Sequence, residues 1–112
     1  MKVPSAHMAV VEREKISAYL LNPAHPDNGG KAAFFRLLGF SREEWTALSA
    51  AFRKLVETTE VTKSLESPHG WKYILDGRIE SPSGKTPLLR TIWIVDRGKN
   101  APRLVTAYPC EE

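Results

Sequence analysis

One cysteine, Cys110, stands in a chain of 112 residues. It excludes an internal disulfide, and a lone thiol near the end of the sequence reads as a surface side chain rather than part of a metal framework. The three histidines, His7, His25 and His69, lack the paired spacing of zinc ligands. No metal and no other cofactor is expected. No apolar run approaches the roughly 20 residues that a membrane span requires, so no membrane partner is expected either. The first residues lack the charged-then-apolar order of a secretory signal, which makes a cytoplasmic location the expectation. Repeats, linkers and low-complexity stretches are missing, and so is the glycine spacing of a Walker phosphate loop.

Charge of one sign is scarce as well. The net charge of +3 is too small to imply a nucleic-acid partner by itself. Its distribution says more. Thr62 to Thr106 carries eight basic residues against four acidic ones, whereas Met1 to Val61 carries eight against seven. The cationic excess falls in the stretch that reads as β-sheet, which suits a polyanion or an acidic protein. The length fits one domain with a modest core, residues 1–112.

The signal divides the chain into a helical half, 9–60, and a sheet half, 61–109, after a start, 1–8, that is expected to fray. Ile16, Tyr19 and Leu20 fall at helical spacing and predict a first helix over Ala9 to Leu21, stopped by Asn22-Pro23. A proline- and glycine-shaped loop follows. A short second helix is predicted over Lys31 to Leu38, closed by Gly39 with Phe40 folding back on it. Ser41-Arg42-Glu43-Glu44 reads as a capping box for a third helix whose stripe is Trp45, Leu48, Phe52 and Leu55.

From Val61 the pattern turns to strands: Val61 to Leu65, then Trp71 to Ile79 after the Pro68-His69-Gly70 turn, then a final hairpin. Its two arms flank Asp96 to Pro102, and a turn centred near Lys99 sets Thr91 opposite Ala107, Ile92 opposite Thr106, Arg90 opposite Tyr108 and Trp93 opposite Val105. Trp71, Tyr73, Trp93 and Val105 are expected to meet the third helix. Ile74, Ile92, Ile94 and Leu104 share the open face with Lys72, Arg90, Thr106 and Tyr108. The whole is an α+β domain, about three N-terminal helices packed on one face of a three- to four-stranded antiparallel sheet.

Three places could carry chemistry. Lys31 opens a helix, where a cation opposes the helix dipole, and Gly29 and Gly30 before it bare backbone N–H groups. Together they could hold a phosphate; equally, Asn28 or Gly30 caps the helix and Lys31 faces water. His25, hemmed by two prolines, could act as general acid or base or cap a helix end. On the open sheet face Lys72, Arg90, Thr106 and Tyr108 converge if the strands are adjacent. Metal-free RNA cleavage needs an acid, a base and cations at the phosphorane, and these residue types supply them. A solvated sheet face is the plainer alternative, and the isoleucines on it argue for a groove or partner surface.

The segments LLNPAHPDNGGKAAFFRLLGF, HGWKYILDG and LLRTIWIVDRGKNAPRLVTAYP resemble a small bacterial domain family linked to polymorphic toxins and toxin–antitoxin pairs. The resemblance runs from about Ala9 to Pro109. It implies a fold similar to the barnase–EndoU–colicin–RelE group of ribonucleases. It also implies a site of His25 and Lys31 from HP-x-x-GGK, Lys72 from GWKY, Arg90 from LLRT and Thr106 from LVTAY. The expected function is a toxin-like, metal-independent ribonuclease. The alternatives are a non-catalytic module pairing with a small acidic antitoxin or immunity-like protein, and an RNA-binding domain without turnover.

Overall fold

The computed structural model describes residues 1–110. Two α-helices form where apolar residues recur at helical spacing: α1, Lys31–Leu37, and α2, Trp45–Thr58. On α2, Leu48, Phe52, Leu55 and Val56 are buried. The end of α1 follows its glycine. Gly39 takes φ +96°, its amide donates to the Arg36 carbonyl, and the Phe40 amide reaches back to Phe35. Phe40 is buried against Phe35, ring centroids 6.5 Å apart, the apolar contact that accompanies such a cap. The Ser41 hydroxyl accepts the Glu44 amide at 3.2 Å, so the capping serine closes the turn that leads into α2.

The expected first helix is shorter and wider than its periodicity suggests. Its regular part, Lys15–Leu20, is a π-helical segment, with the Leu21 amide bonded to the Ile16 carbonyl at 2.8 Å. The wider turn lets Ile16, Leu20 and Leu21 all be fully buried while Lys15 and Tyr19 face outward, half-buried. Such segments are rare and recur at functional sites.

Four strands follow: β1, Lys63–Ser67; β2, Gly70–Arg78; β3, Leu88–Asp96; β4, Arg103–Pro109. They form one antiparallel sheet in the order β1-β2-β3-β4, with the helices on one face. Tyr73, Leu75, Leu89, Thr91, Trp93 and Ala107 point into the core beside Phe35, Phe52 and Leu55. Trp93 is fully buried, and its Nε1 donates to Thr91 Oγ1 at 2.9 Å. The β1–β2 turn needs Gly70: at φ +143° a Cβ there would collide with the Val95 carbonyl.

The final hairpin keeps the expected register for Arg90↔Tyr108, Thr91↔Ala107 and Ile92↔Thr106, then shifts. β4 carries an extra residue, Val105, so Trp93 faces Leu104 and Ile94 faces Arg103. Leu104 therefore crosses to the core at 2% exposure, and Val105, expected there, is only half-buried. Trp71 is also displaced from the expected core: it lies at the sheet's end, 44% exposed. The start of the chain is docked rather than frayed. Val3 is buried, and the Met1 carbonyl accepts the Val61 amide at 2.7 Å. That bond occupies Val61, and β1 begins at Lys63 instead. Among the described residues no helix is long and apolar enough to cross a membrane.

Candidate active site

The loop between the π-helical segment and α1 is fixed by Asn28, a polar side chain only 3% exposed. Its amide nitrogen donates to the carbonyls of Tyr19, at 2.7 Å, and Leu20, at 3.2 Å. Its Oδ1 accepts the Ala32 amide at 2.8 Å. One side chain thus satisfies orphan groups at the end of one helical segment and the start of the next. The carbonyl of the same residue accepts the Lys31 amide at 3.1 Å. Gly29 and Gly30 turn the chain at φ +61° and +87°. Asn28 thus takes the amides of Lys31 and Ala32, the two that follow the glycines, while the Gly29 and Gly30 amides named for a phosphate are not among its partners.

Lys31 does not face open water. Its Nζ donates to the Tyr19 hydroxyl at 2.9 Å and lies 3.4 Å from the Asp27 carbonyl. The Tyr19 hydroxyl shares a second hydrogen bond, 3.0 Å, with Thr106 Oγ1 on β4. His25 meets the Tyr19 ring edge-on at 4.9 Å between centroids, and Lys15 Nζ sits 5.2 Å from the ring centre. Burial would raise the Tyr19 phenol; the bonds to Lys31 and Thr106 and the charges of Lys31 and Lys15 outweigh it and hold the group below its ordinary value. His25 Nδ1 accepts the Asp27 amide at 3.1 Å. That nitrogen therefore carries no proton, and the ring presents Nε2–H as a donor.

Glu12, Glu14, Lys15, Tyr19, His25 and Arg103 line an open cleft of about 320 Å³. Three of the residues singled out in the sequence, His25, Lys31 and Thr106, are thus gathered around one phenol at the β4 edge. Arg90 and Tyr108 lie on the same sheet face, paired in register two residues from Ile92 and Thr106. Arg90 is engaged: Nε and Nη2 bond both oxygens of Asp76 at 2.8 and 2.9 Å, which holds the Asp76 carboxyl below its usual range despite partial burial. Lys72 shares the face but sits on β2, opposite Ile94, two strand spacings or about 10 Å from β4. Half-buried Ile74 and Ile92 lie between these groups.

The residue the sequence reading missed is Tyr19, which passed as one more apolar position of a helical stripe. The available signal was the Lys15–Tyr19 spacing of one turn just ahead of the histidine and lysine loop. Among the described residues, no three of His, Cys, Asp and Glu gather in a way that could hold a metal ion.

Helices ahead of a four-stranded antiparallel meander, with Tyr19, His25, Lys31 and Thr106 gathered at its last strand, define a small α+β module. A family model described as a domain of unknown function (DUF6883) matches residues 2–111, and the chain belongs to that family. The fold is similar to that of a chain in a contact-dependent growth inhibition toxin–immunity protein complex from Klebsiella pneumoniae 342. The TM-score is 0.74 at 17% identity, over 90% of this chain and 99% of that one. No curated protein matches the chain.

Proposed function

We propose that this chain is a toxin-type ribonuclease module that cuts RNA by metal-independent acid–base catalysis. The observation that carries the reading is the junction at Tyr19, through which the loop and α1 bring His25 and Lys31 to Thr106 of the sheet. Lys31 and the Nε2–H of His25 grip the scissile phosphate and Thr106 positions it. Lys72, Arg90 and Tyr108 receive the strand on either side along the partly apolar sheet face. The structural likeness to a chain of a toxin–immunity complex supports the toxin setting, and the helix-then-meander order supports a barnase–EndoU–colicin–RelE type of fold. The partner that restrains such a module is a small acidic immunity-type protein.

Induced expression in a bacterial host, with cleavage of total RNA by the purified protein, tests the reading. Growth arrest and RNA fragmentation are expected for the native chain and are lost in His25→Ala and Lys31→Ala. A native chain that leaves cells and RNA intact overturns it.

The same neighbour also suits a second reading, a non-catalytic member of a two-protein pair. Tight capture of a small acidic protein with no RNA cleavage by the free chain is the outcome that selects it.

A further inference from the structure

The ribonuclease reading leaves open which group protonates the departing oxygen, and His25 is poorly placed for it. Its Nδ1 is taken by the Asp27 amide, so an imidazolium would have to break that bond before it could form. The Tyr19 hydroxyl is set differently. Lys31 Nζ has no lone pair to accept with and must donate to the phenol oxygen, at 2.9 Å. Thr106 Oγ1 stands 3.0 Å from the same oxygen. Lys15 adds a second ammonium 5.2 Å from the ring centre, and Lys31 Nζ itself lies 5.3 Å from it. Lys31, Lys15 and Thr106 are suited to an oxygen that gains negative charge, which is the arrangement that stabilises a transition state in which charge develops there.

We propose that Tyr19 is the general acid of this site, giving its phenolic proton to the 5′-oxygen that leaves when an RNA strand is cut. The proposal rests on the ribonuclease reading. In the step, the ribose 2′-oxygen bonds to phosphorus and its proton passes to solvent water. The bond from phosphorus to the 5′-oxygen breaks, and that oxygen takes the proton of Tyr19. The products are a 2′,3′-cyclic phosphate and a 5′-hydroxyl, and the phenolate, held by Lys31 and Thr106, recovers a proton from water. Besides the two lysines, the ionisable groups that share the cleft with Tyr19 are His25 from the loop, Arg103 from β4, and Glu12 and Glu14. The carboxylates oppose the lysines.

The test compares the native chain with Tyr19→Phe and Lys15→Met on two substrates: an RNA oligonucleotide, and a nitrophenyl ester of uridine 3′-phosphate, whose leaving group needs no proton. Tyr19→Phe is expected to lose about 100-fold or more on RNA, the scale of general-acid catalysis, and to cleave the nitrophenyl ester close to the native rate. Native cleavage of RNA should decline as pH rises through the Tyr19 titration. Lys15→Met, which removes a charge that holds the phenol down, should move that decline to higher pH, in step with the tyrosinate absorbance of the same variant. Equal losses by Tyr19→Phe on both substrates, or retained RNA cleavage, overturn the assignment of Tyr19 and leave the ribonuclease reading standing. A native chain that cleaves neither substrate overturns both.

Discussion

The Arg90 guanidinium meets the Asp76 carboxylate edge to edge, Nε 2.8 Å from Oδ1 and Nη2 2.9 Å from Oδ2, between residues that are register partners on β2 and β3. Bidentate pairing is the stronger form of ion pair, and it fixes an arginine on an otherwise open sheet face. The hydrogen bonds and charge of Arg90 lower the Asp76 pKa in the folded state. The resulting stability is present at pH values above the ordinary carboxylate range and is lost as pH falls through the depressed folded value. Asp76→Asn should therefore be less stable than the native chain at neutral pH. The gap should close on acidification below about pH 4. Asp96, held by Arg103, shifts in the same direction, so the variant keeps part of the acid sensitivity. Denaturant unfolding at a series of pH values measures the gap; a difference that does not change with pH would contradict the pairing.

Asn28 makes the second prediction. Asn28→Ala removes three hydrogen bonds and leaves the Tyr19 and Leu20 carbonyls and the Ala32 amide without that partner. The expected cost is about 1–3 kcal/mol for stranded buried polar groups. The variant should also lose activity beyond its loss of stability, since the same side chain sets Tyr19 relative to Lys31. Asn28→Asp is expected to be no better, because its carboxylate would face two carbonyl oxygens. Thermal unfolding alongside RNA cleavage at a temperature where the variant is folded separates the two effects.

The contrast between Asn28 and Tyr19 shows what a sequence of this kind discloses. Helix α2 and the hairpin up to Ile92 were legible because burial imposes a period, and each period shows in the residues. Gly39 and Phe40 were legible because a left-handed cap needs a glycine and an apolar follower. Val105 was not, since a bulge changes the count of residues on one strand without changing their chemistry, and everything beyond it changes face. The π-helical turn hid Tyr19 for the same reason: the spacing of Ile16, Tyr19 and Leu20 is compatible with an ordinary helix that would bury all three. The docked start was invisible because its partner, Val61, lies 60 residues away. His25, Lys31 and Thr106 could be named individually; the group that joins them required coordinates.

Thr91 supplies a control on the opposite face of the sheet. Its hydroxyl is fully buried and accepts the Trp93 indole N–H at 2.9 Å. Thr91→Val keeps the shape and strands that donor, at an expected cost of about 1–3 kcal/mol. Because Thr91 points to the core face of the sheet and makes no bond to Tyr19, His25, Lys31 or Thr106, cleavage per folded molecule should stay at the native level. A selective loss of cleavage with native stability would show that the core side of β3 communicates with the site.

Lys72 tests whether the open face carries the nucleic acid. It lies half-buried on β2 beside Ile74 and opposite Ile94, with no acidic partner among the ion pairs of the described residues; Asp76 and Asp96 are engaged by Arg90 and Arg103. A phosphate bound there releases a counterion, and each such contact to a single strand contributes about 0.7 to the slope of log affinity against log salt. Lys72→Ala should weaken binding of a short single-stranded RNA at low salt and reduce that slope by about 0.7, leaving unfolding little changed. Lys85→Ala, an exposed cation on the β2–β3 loop, should leave both affinity and slope as they are. If Lys72 and Lys85 behave alike, the strand does not run across the face between β2 and β4. The cleft at Tyr19 would then have to take its substrate from the β4 edge alone, past Arg103 and the π-helical turn.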